Sequence, residues 1–189
     1  MKLIIASDIH GSAKYCRQLL DAYERERADR LLLLGDILYH GPRNDLPEEY
    51  APKLVIEMLN QRKNEIYAVR GNCEAEVDQM VLGFPVLADY ALIPVGSRMI
   101  YATHGHVYNK ENLPPMKHGD ILLNGHTHIP ACEEMGEYVY MNPGSVSIPK
   151  ENTPRGYIVF EDDSFVWKDL GGREYMSYIV NEFNYCVIC

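Results

Sequence analysis

The rhythm of the first 80 residues constrains this chain more than any other feature. Short, continuous apolar runs alternate with stretches of helical period: KLIIAS precedes residues 12–27, RLLLLG precedes 51–62, and EIYAVRG precedes 74–80. Runs without polar alternation belong to strands buried on both faces, and such strands separated by helices predict a βαβαβ unit around a mostly parallel sheet. Leu19, Leu20 and Tyr23 share one face of the first helix, and Ser12 stands where an N-cap hydroxyl belongs. After about residue 85 the pattern turns into short strands (YALIPV, RMIYATHG, DILLNGH, YVYMNPG, GYIVFED, SFVWKDL) separated by Gly, Pro, Asn and Asp. No Pro/Gly/Ser-rich linker marks the change, so residues 1–170 read as one α/β domain, with 171–189 as a C-terminal tail of little periodicity.

Polar motifs stand at the ends of the apolar runs: SDIHG with Asp8 and His10, GD with Asp36, GNCE with Asn72, THGH with His104 and His106, and NGHTH with His126 and His128. In open α/β sheets the carboxyl ends of the strands share one edge, where residues distant in sequence meet. Taken singly, an Asp-x-His or a Gly-Asp is common at a strand-to-loop junction. As an ordered set, each at a strand end, they predict one site. In GHTH, strand alternation places His126 and His128 on the same side.

Two aspartates, a carboxamide and several imidazoles suit Mn²⁺, Fe²⁺, Co²⁺ or Zn²⁺ better than Ca²⁺ or a structural zinc. Seven donors exceed the needs of one ion. With one carboxylate bridging, they would serve two ions about 3.5 to 4 Å apart, an arrangement that activates water for in-line displacement at phosphorus.

Composition excludes some partners. With 18 Lys+Arg against 27 Asp+Glu the net charge is −9, the wrong sign for tracking a nucleic-acid polymer, whereas a small phosphorylated substrate stays compatible through bound cations. The first apolar run stops at Asp8 and no window approaches a membrane span, which predicts a soluble, cytoplasmic protein without membrane contact. Five irregularly spaced cysteines read as free thiols, and the terminal CVIC (Cys186, Cys189) lacks the second ligand pair of a zinc site.

The order Asp-x-His, Gly-Asp, Gly-Asn, His, Gly-His-x-His resembles the calcineurin-like metallophosphoesterase superfamily. The segments MKLIIASDIHGS, HGPRN, VRGNCEAEVDQM, THGH, GHTHIP and NPGSVSIP are similar to its YfcE-like bacterial phosphodiesterase subgroup. The resemblance runs from Met1 to about residue 170 and implies a four-layer αββα sandwich of two mixed sheets with a dinuclear centre. By motif position, Asp8, His10, Asp36 and His128 would hold one ion and Asp36, Asn72, His104 and His126 the other, with Asp36 bridging. Two divalent ions are implied, Mn²⁺ first, with Zn²⁺, Fe²⁺, Co²⁺ or Ni²⁺ compatible.

Many members of the superfamily carry a His directly after the motif Asn, where it protonates a poor leaving group; this chain has Cys73 there. A thiol is a weaker hydrogen-bonding group and an inefficient acid at neutral pH. The expected reaction is therefore attack by a metal-bridging hydroxide on small phosphodiesters with good leaving groups, such as aryl diesters. Arg43, in the loop after Asp36, is a candidate donor to phosphate oxygens or a shaper of the loop with Pro42; His40 is a further substrate-binding candidate. His106 either orients His104 or sits at the solvent edge. Asn142, Pro143 and Gly144 would form a tight turn near the site.

Two other readings stand beside this one. A eukaryotic relative keeps the fold mainly as a protein-binding scaffold, and here Tyr175, Tyr178, Phe183 and Tyr185 would mark a contact surface or belong to the core. A phosphoserine phosphatase fits the superfamily but fits Cys73 less well. A homo-oligomer is compatible with the sequence.

Overall fold

The structure, a computed structural model, describes residues 1–180. The chain runs β1 (Leu3–Ala6), α1 (Ala13–Glu26), β2 (Arg30–Leu33), α2 (Pro52–Asn60), β3 (Ile66–Ala68), α3 (Glu76–Val81), and then eight strands. These are β4 (Ala91–Val95), β5 (Arg98–Ala102), β6 (Ile121–Leu123), β7 (Pro130–Glu134), β8 (Val139–Pro143), β9 (Gly156–Glu161), β10 (Ser164–Asp169) and β11 (Glu174–Ile179). They form two mixed sheets, one in the order β11-β10-β9-β1-β2-β3 and one in the order β4-β5-β6-β8-β7.

The strand period of two explains how the sheets stack. Ile4 and Ala6 of β1, with Leu31 and Leu33 of β2, face α1 and α2, where they meet Cys16, Leu19, Val55 and Leu59. The alternate residues Leu3, Ile5 and Leu32 face the second sheet and pack with Ile100, Ile121, Leu123 and Met141. Trp167 is fully buried in this inter-sheet layer, and its indole N–H donates to the Asn142 carbonyl at 2.7 Å. Ser12 caps α1 as expected, its hydroxyl accepting from the Tyr15 N–H at 3.3 Å.

The expected pair of mixed sheets is therefore present. The outer face of the second sheet, at Leu122, Tyr138 and Tyr140, is packed by Met116 from the β5–β6 loop. No helix follows α3 among the described residues.

Within each sheet the site-bearing strands are parallel neighbours: β1, β2 and β3 in the first, β5, β6 and β8 in the second. Their carboxyl ends bring the polar motifs to one edge. None of the described helices is long and apolar enough to cross a membrane.

The expectation of a loose tail from Gly171 is corrected for residues 174–179. These form β11, which pairs antiparallel with β10, while Tyr175, Met176 and Tyr178 pack against the inter-sheet core. Tyr175 and Tyr178 are thus partly buried packing groups. Phe183, Tyr185, Cys186 and Cys189 lie outside the described residues. The cysteines at 16, 73 and 132 are free, as expected.

If β11 is an integral strand, a chain ending at Gly172 will be less stable than one ending at Val180 by about 3 kcal/mol, from the apolar burial of three half-covered side chains. Urea denaturation of the two truncations measures this difference, and equal midpoints would restore the loose-tail reading.

Candidate metal centre

Each donor sits on a loop that continues a strand, and the loops are bonded to one another before any side chain is considered. Asp8 N–H donates to the Gly35 carbonyl, His10 N–H to Asp36 and Gly11 N–H to Ile37, so the β1 and β2 extensions run together. Val146 N–H donates to the Ser7 carbonyl, and the hydroxyls of Ser145 and Ser147 both donate to the Asp8 carbonyl, at 2.9 and 3.0 Å. This stitches the end of β8 in the second sheet to the end of β1 in the first.

Two close approaches require glycine. A Cβ on Gly35 would strike the backbone of Gly71, and one on Gly125 would strike Ser7. The Gly-Asp, Gly-Asn and Gly-His motifs therefore name places where neighbouring chains touch.

Five of the predicted donors have left-handed backbone: Asp8 at φ 59°, His10 at 48°, Asp36 at 53°, His126 at 65° and His128 at 63°. Asp and His enter this region more readily than other residues that carry a Cβ, and such conformations concentrate at functional sites. This corrects the strand alternation expected for His126 and His128. Both side chains reach the site because each residue turns left-handed in the loop after β6, with Thr127 exposed between them.

The donors converge closely. His128 Nε2 lies 3.1 Å and His10 Nε2 3.4 Å from Asp8 Oδ1, and the two nitrogens are 3.3 Å apart. Asp36 Oδ2 lies 3.7 Å from His10 Nε2 and 3.5 Å from His104 Nε2. His104 Nε2 lies 3.1 Å from Asn72 Oδ1 and 3.2 Å from His126 Nδ1. Asp8, His10, Asp36, His104 and His128 are buried, His126 is half-buried, and Asn72 is exposed at the mouth. Asp36 stands between the two groups.

Whether a cation fits is decided on the far side of the rings. Nδ1–H of His10 donates to the Tyr39 carbonyl at 2.7 Å, that of His104 to Leu34 at 2.6 Å, and that of His128 to Ile148 at 2.8 Å. A carbonyl oxygen only accepts, so Nδ1 holds a proton in all three and the Nε2 lone pair is free to point inward. Asp8 Oδ1 is buried without a hydrogen-bond partner among these groups.

Positive charge is demanded at this focus. Burial opposes charge on His104, but Asp36 and Asp8 outweigh it and raise its pKa to about 9; burial and the neighbouring His104 push His126 down to about 4. A proton on His104 answers one corner of the cluster only. Divalent cations answer all of it, and oxygen and imidazole donors are what such ions take.

Sequence reading missed the residue that braces this arrangement. Glu74, 4% exposed, accepts from Asp36 N–H (2.9 Å) and Gly71 N–H (2.5 Å) with Oε2 and from Ile37 N–H (2.7 Å) with Oε1. It locks the loop bearing Asp36 to the loop bearing Asn72, much as a supporting carboxylate fixes ligands at metal sites. Its signal is the acid that closes GNCE, a motif read above for Asn72 and Cys73. Asn142 was read as a turn residue. It does make the turn, Oδ1 accepting from Gly144 N–H, and its Nδ2 also donates to the Gly125 carbonyl at 2.7 Å, holding the histidine loop.

The remaining candidates fall in different places. Arg43 and Cys73 line a cleft of about 660 Å³, together with Asp36, Asn72, His126 and His128. Cys73 Sγ donates to Asp36 Oδ2 at 3.3 Å, and burial, then the Asp36 charge, push its thiol above the usual range. Its sulfur also lies within reach of His10 and Asp36 as a candidate donor group. His106 is exposed, its ring 5.4 Å from that of His104 and 6.4 Å from that of His126, and it makes no bond to either. His40 is not among the cleft residues; its ring lies edge-on between Tyr39 and Tyr50, 4.7 and 5.3 Å away.

Glu74→Ala leaves three N–H groups without their carboxylate and is expected to cost about 3 kcal/mol of stability, read by urea denaturation. Glu74→Gln, which keeps the shape, should recover part of that loss.

Comparison with known proteins agrees with this geometry. Residues 1–164 match the model of the calcineurin-like phosphoesterase superfamily domain. The chain is 47% identical over 163 residues to the phosphodiesterase YfcE of Escherichia coli K12, covering 86% of this chain and 89% of that protein. The solved structure of E. coli YfcE, described as a phosphoesterase, superposes with a TM-score of 0.92 at 43% identity, over 96% of this chain and all of the other. Vps29 from Chaetomium thermophilum shares the fold alone, with a TM-score of 0.61 at 15% identity, over 96% and 100% of the two chains. With the ordered donors at the strand ends and a family match over most of its length, this chain belongs to the calcineurin-like phosphoesterase superfamily.

Proposed function

We propose that the chain is a metal-dependent phosphoric diester hydrolase acting on small phosphodiesters with good leaving groups. The observation that carries this is the inward convergence of three fixed imidazole lone pairs and two carboxylates beside an open cleft. The likeness to YfcE, named a phosphodiesterase, supports the same class of substrate.

Asp8, His10, Asp36 and His128 would hold one divalent ion, and Asp36, Asn72, His104 and His126 a second, with Mn²⁺ the first choice. Such ions supply a water acidic enough to attack at neutral pH and neutralise charge on the phosphate oxygens. The chain's own residues position the parts. The Nδ1 bonds to Tyr39, Leu34 and Ile148 carbonyls hold the imidazoles in one tautomer and one orientation. Glu74 keeps Asp36 in register with Asn72. Arg43, on the cleft wall, offers a planar fork for phosphate oxygens.

Cys73 occupies the position at which many superfamily members carry a histidine acid. Held against Asp36, its thiol gives a departing alkoxide little help. Aryl leaving groups need none, which favours activated diesters over alkyl monoesters. The scaffold alternative is supported less well: tyrosines 175 and 178, which would have marked its contact surface, pack against the core.

With Mn²⁺, the purified protein should hydrolyse bis(p-nitrophenyl) phosphate, and Asp36→Asn or His126→Ala should reduce turnover to background while circular dichroism stays native. Full activity in either variant would remove the dinuclear arrangement. Inactivity of the wild type with Mn²⁺, Co²⁺, Ni²⁺ and Zn²⁺ alike would favour the scaffold. Cys73→His should raise the rate on alkyl phosphate esters by about a hundredfold, the lower end of general-acid contributions, and leave that on bis(p-nitrophenyl) phosphate nearly unchanged. An unchanged substrate preference would refute the leaving-group role of position 73.

A further inference from the structure

The cleft carries two cations, and recognition of a scissile phosphate needs only one of them. Arg43 and Lys150 both line it, Arg43 from the β2–α2 loop of the first sheet and Lys150 from the β8–β9 loop that leaves the second. Among the described residues Asp36 is the one acid on the cleft wall, and its carboxylate already faces His10, His104 and the Cys73 N–H.

Several basic side chains elsewhere are answered by acids, as with Lys2 and Glu161, Lys14 and Glu48, or Lys168 and Glu26. Among the described residues, neither the Arg43 nor the Lys150 side chain has an ion pair or hydrogen bond. In a protein of net charge −9, a cleft wall whose described residues include two cations and one acid is locally positive.

The root of Lys150 is tied to the candidate centre. Its N–H donates to the His128 carbonyl at 3.2 Å, and its own carbonyl accepts from the Thr153 N–H and hydroxyl. Two residues earlier, the Ile148 carbonyl takes the His128 Nδ1 proton. The lysine stem thus starts at a fixed distance from the reacting position, although its ammonium is exposed.

A scissile diester carries one negative charge, which two divalent ions and Arg43 already exceed. We infer that Lys150 selects phosphodiesters bearing a second phosphate group outside the scissile bond, for which an ammonium serves as a point-charge partner. This rests on the diester-hydrolase reading above.

The test compares thymidine 5′-(p-nitrophenyl phosphate) carrying a 3′-hydroxyl with the same ester carrying a 3′-phosphate, so that the leaving group is constant. Wild type with Mn²⁺ should favour the 3′-phosphate by about tenfold in kcat/KM, through KM, the range expected of one charge-assisted contact. The preference should shrink as NaCl is raised from about 0.02 to about 0.5 M, since a rim charge is screened. Lys150→Gln should lose the preference and Lys150→Arg keep it; the ratio of the two esters cancels any general damage from the substitution. A wild-type ratio near one, or a ratio that survives Lys150→Gln, overturns the inference. If wild type hydrolyses neither ester nor bis(p-nitrophenyl) phosphate with any of the four metals, the diester-hydrolase reading itself falls.

Discussion

Buried lone pairs aimed at one another are the constraint on which the rest of this structure depends. His10, His104 and His128 each spend their Nδ1 proton on a backbone carbonyl and turn Nε2 towards Asp8 and Asp36. Such a focus repels itself unless positive charge fills it, and it is held together by backbone geometry braced by Glu74, Ser145, Ser147 and Asn142. Two parallel strand triplets supply that geometry, because their carboxyl ends converge while the apolar faces behind them are locked on both sides. Left-handed backbone at five donors adds strain of order 1 kcal/mol or more at each. The close-packed layers of Ile4, Leu31 and Leu33 on one side and Leu3, Ile5 and Leu32 on the other offset it.

How much of this was legible in the sequence follows from the same physics. Strands buried on both faces are continuous apolar runs, so β1, β2 and the motifs at their ends stood out. The edge strands β7 and β11 carry no such signal. β7 reads PACEE, half-exposed and opened by a proline, and β11 reads EYMSYI, whose partly covered tyrosines and methionine alternate too weakly to separate it from a tail. The cover on the outer face of the second sheet leaves no periodic pattern to read, since Met116 packs Leu122, Tyr138 and Tyr140 from a loop.

Within the site, residue types were legible and the backbone that aims them was not. Histidines 126 and 128 were placed together by assuming an extended strand, and they do meet, through two left-handed turns. Glu74 escaped because its partners are three backbone N–H groups, and backbone partners leave no trace in a side-chain pattern. His40 was drawn in by its closeness in sequence to Arg43, yet it packs between two tyrosines while Arg43 faces the cleft. Neighbours in a loop share an address along the chain but not a direction.

The same distinction bears on scaffold against catalyst. A fold kept for protein binding needs its surface and its core, and could let the buried donors drift to apolar residues, since replacing paired buried polar groups by packed hydrophobes is often neutral or stabilising. Here the expensive features are all retained together: two buried carboxylates, one with an unpartnered oxygen, imidazoles fixed in one tautomer, a buried glutamate bracing two loops, and strained backbone beneath the donors. The closely spaced buried donors and the strained backbone cost stability while Glu74 holds them in place, and together they share one purpose only if cations and a substrate phosphate meet there. Cys73 fits that picture as part of the frame: its N–H bonds to Asp36 Oδ1 at 2.9 Å and its thiol to Oδ2 at 3.3 Å, so it steadies the carboxylate that stands between the two donor groups.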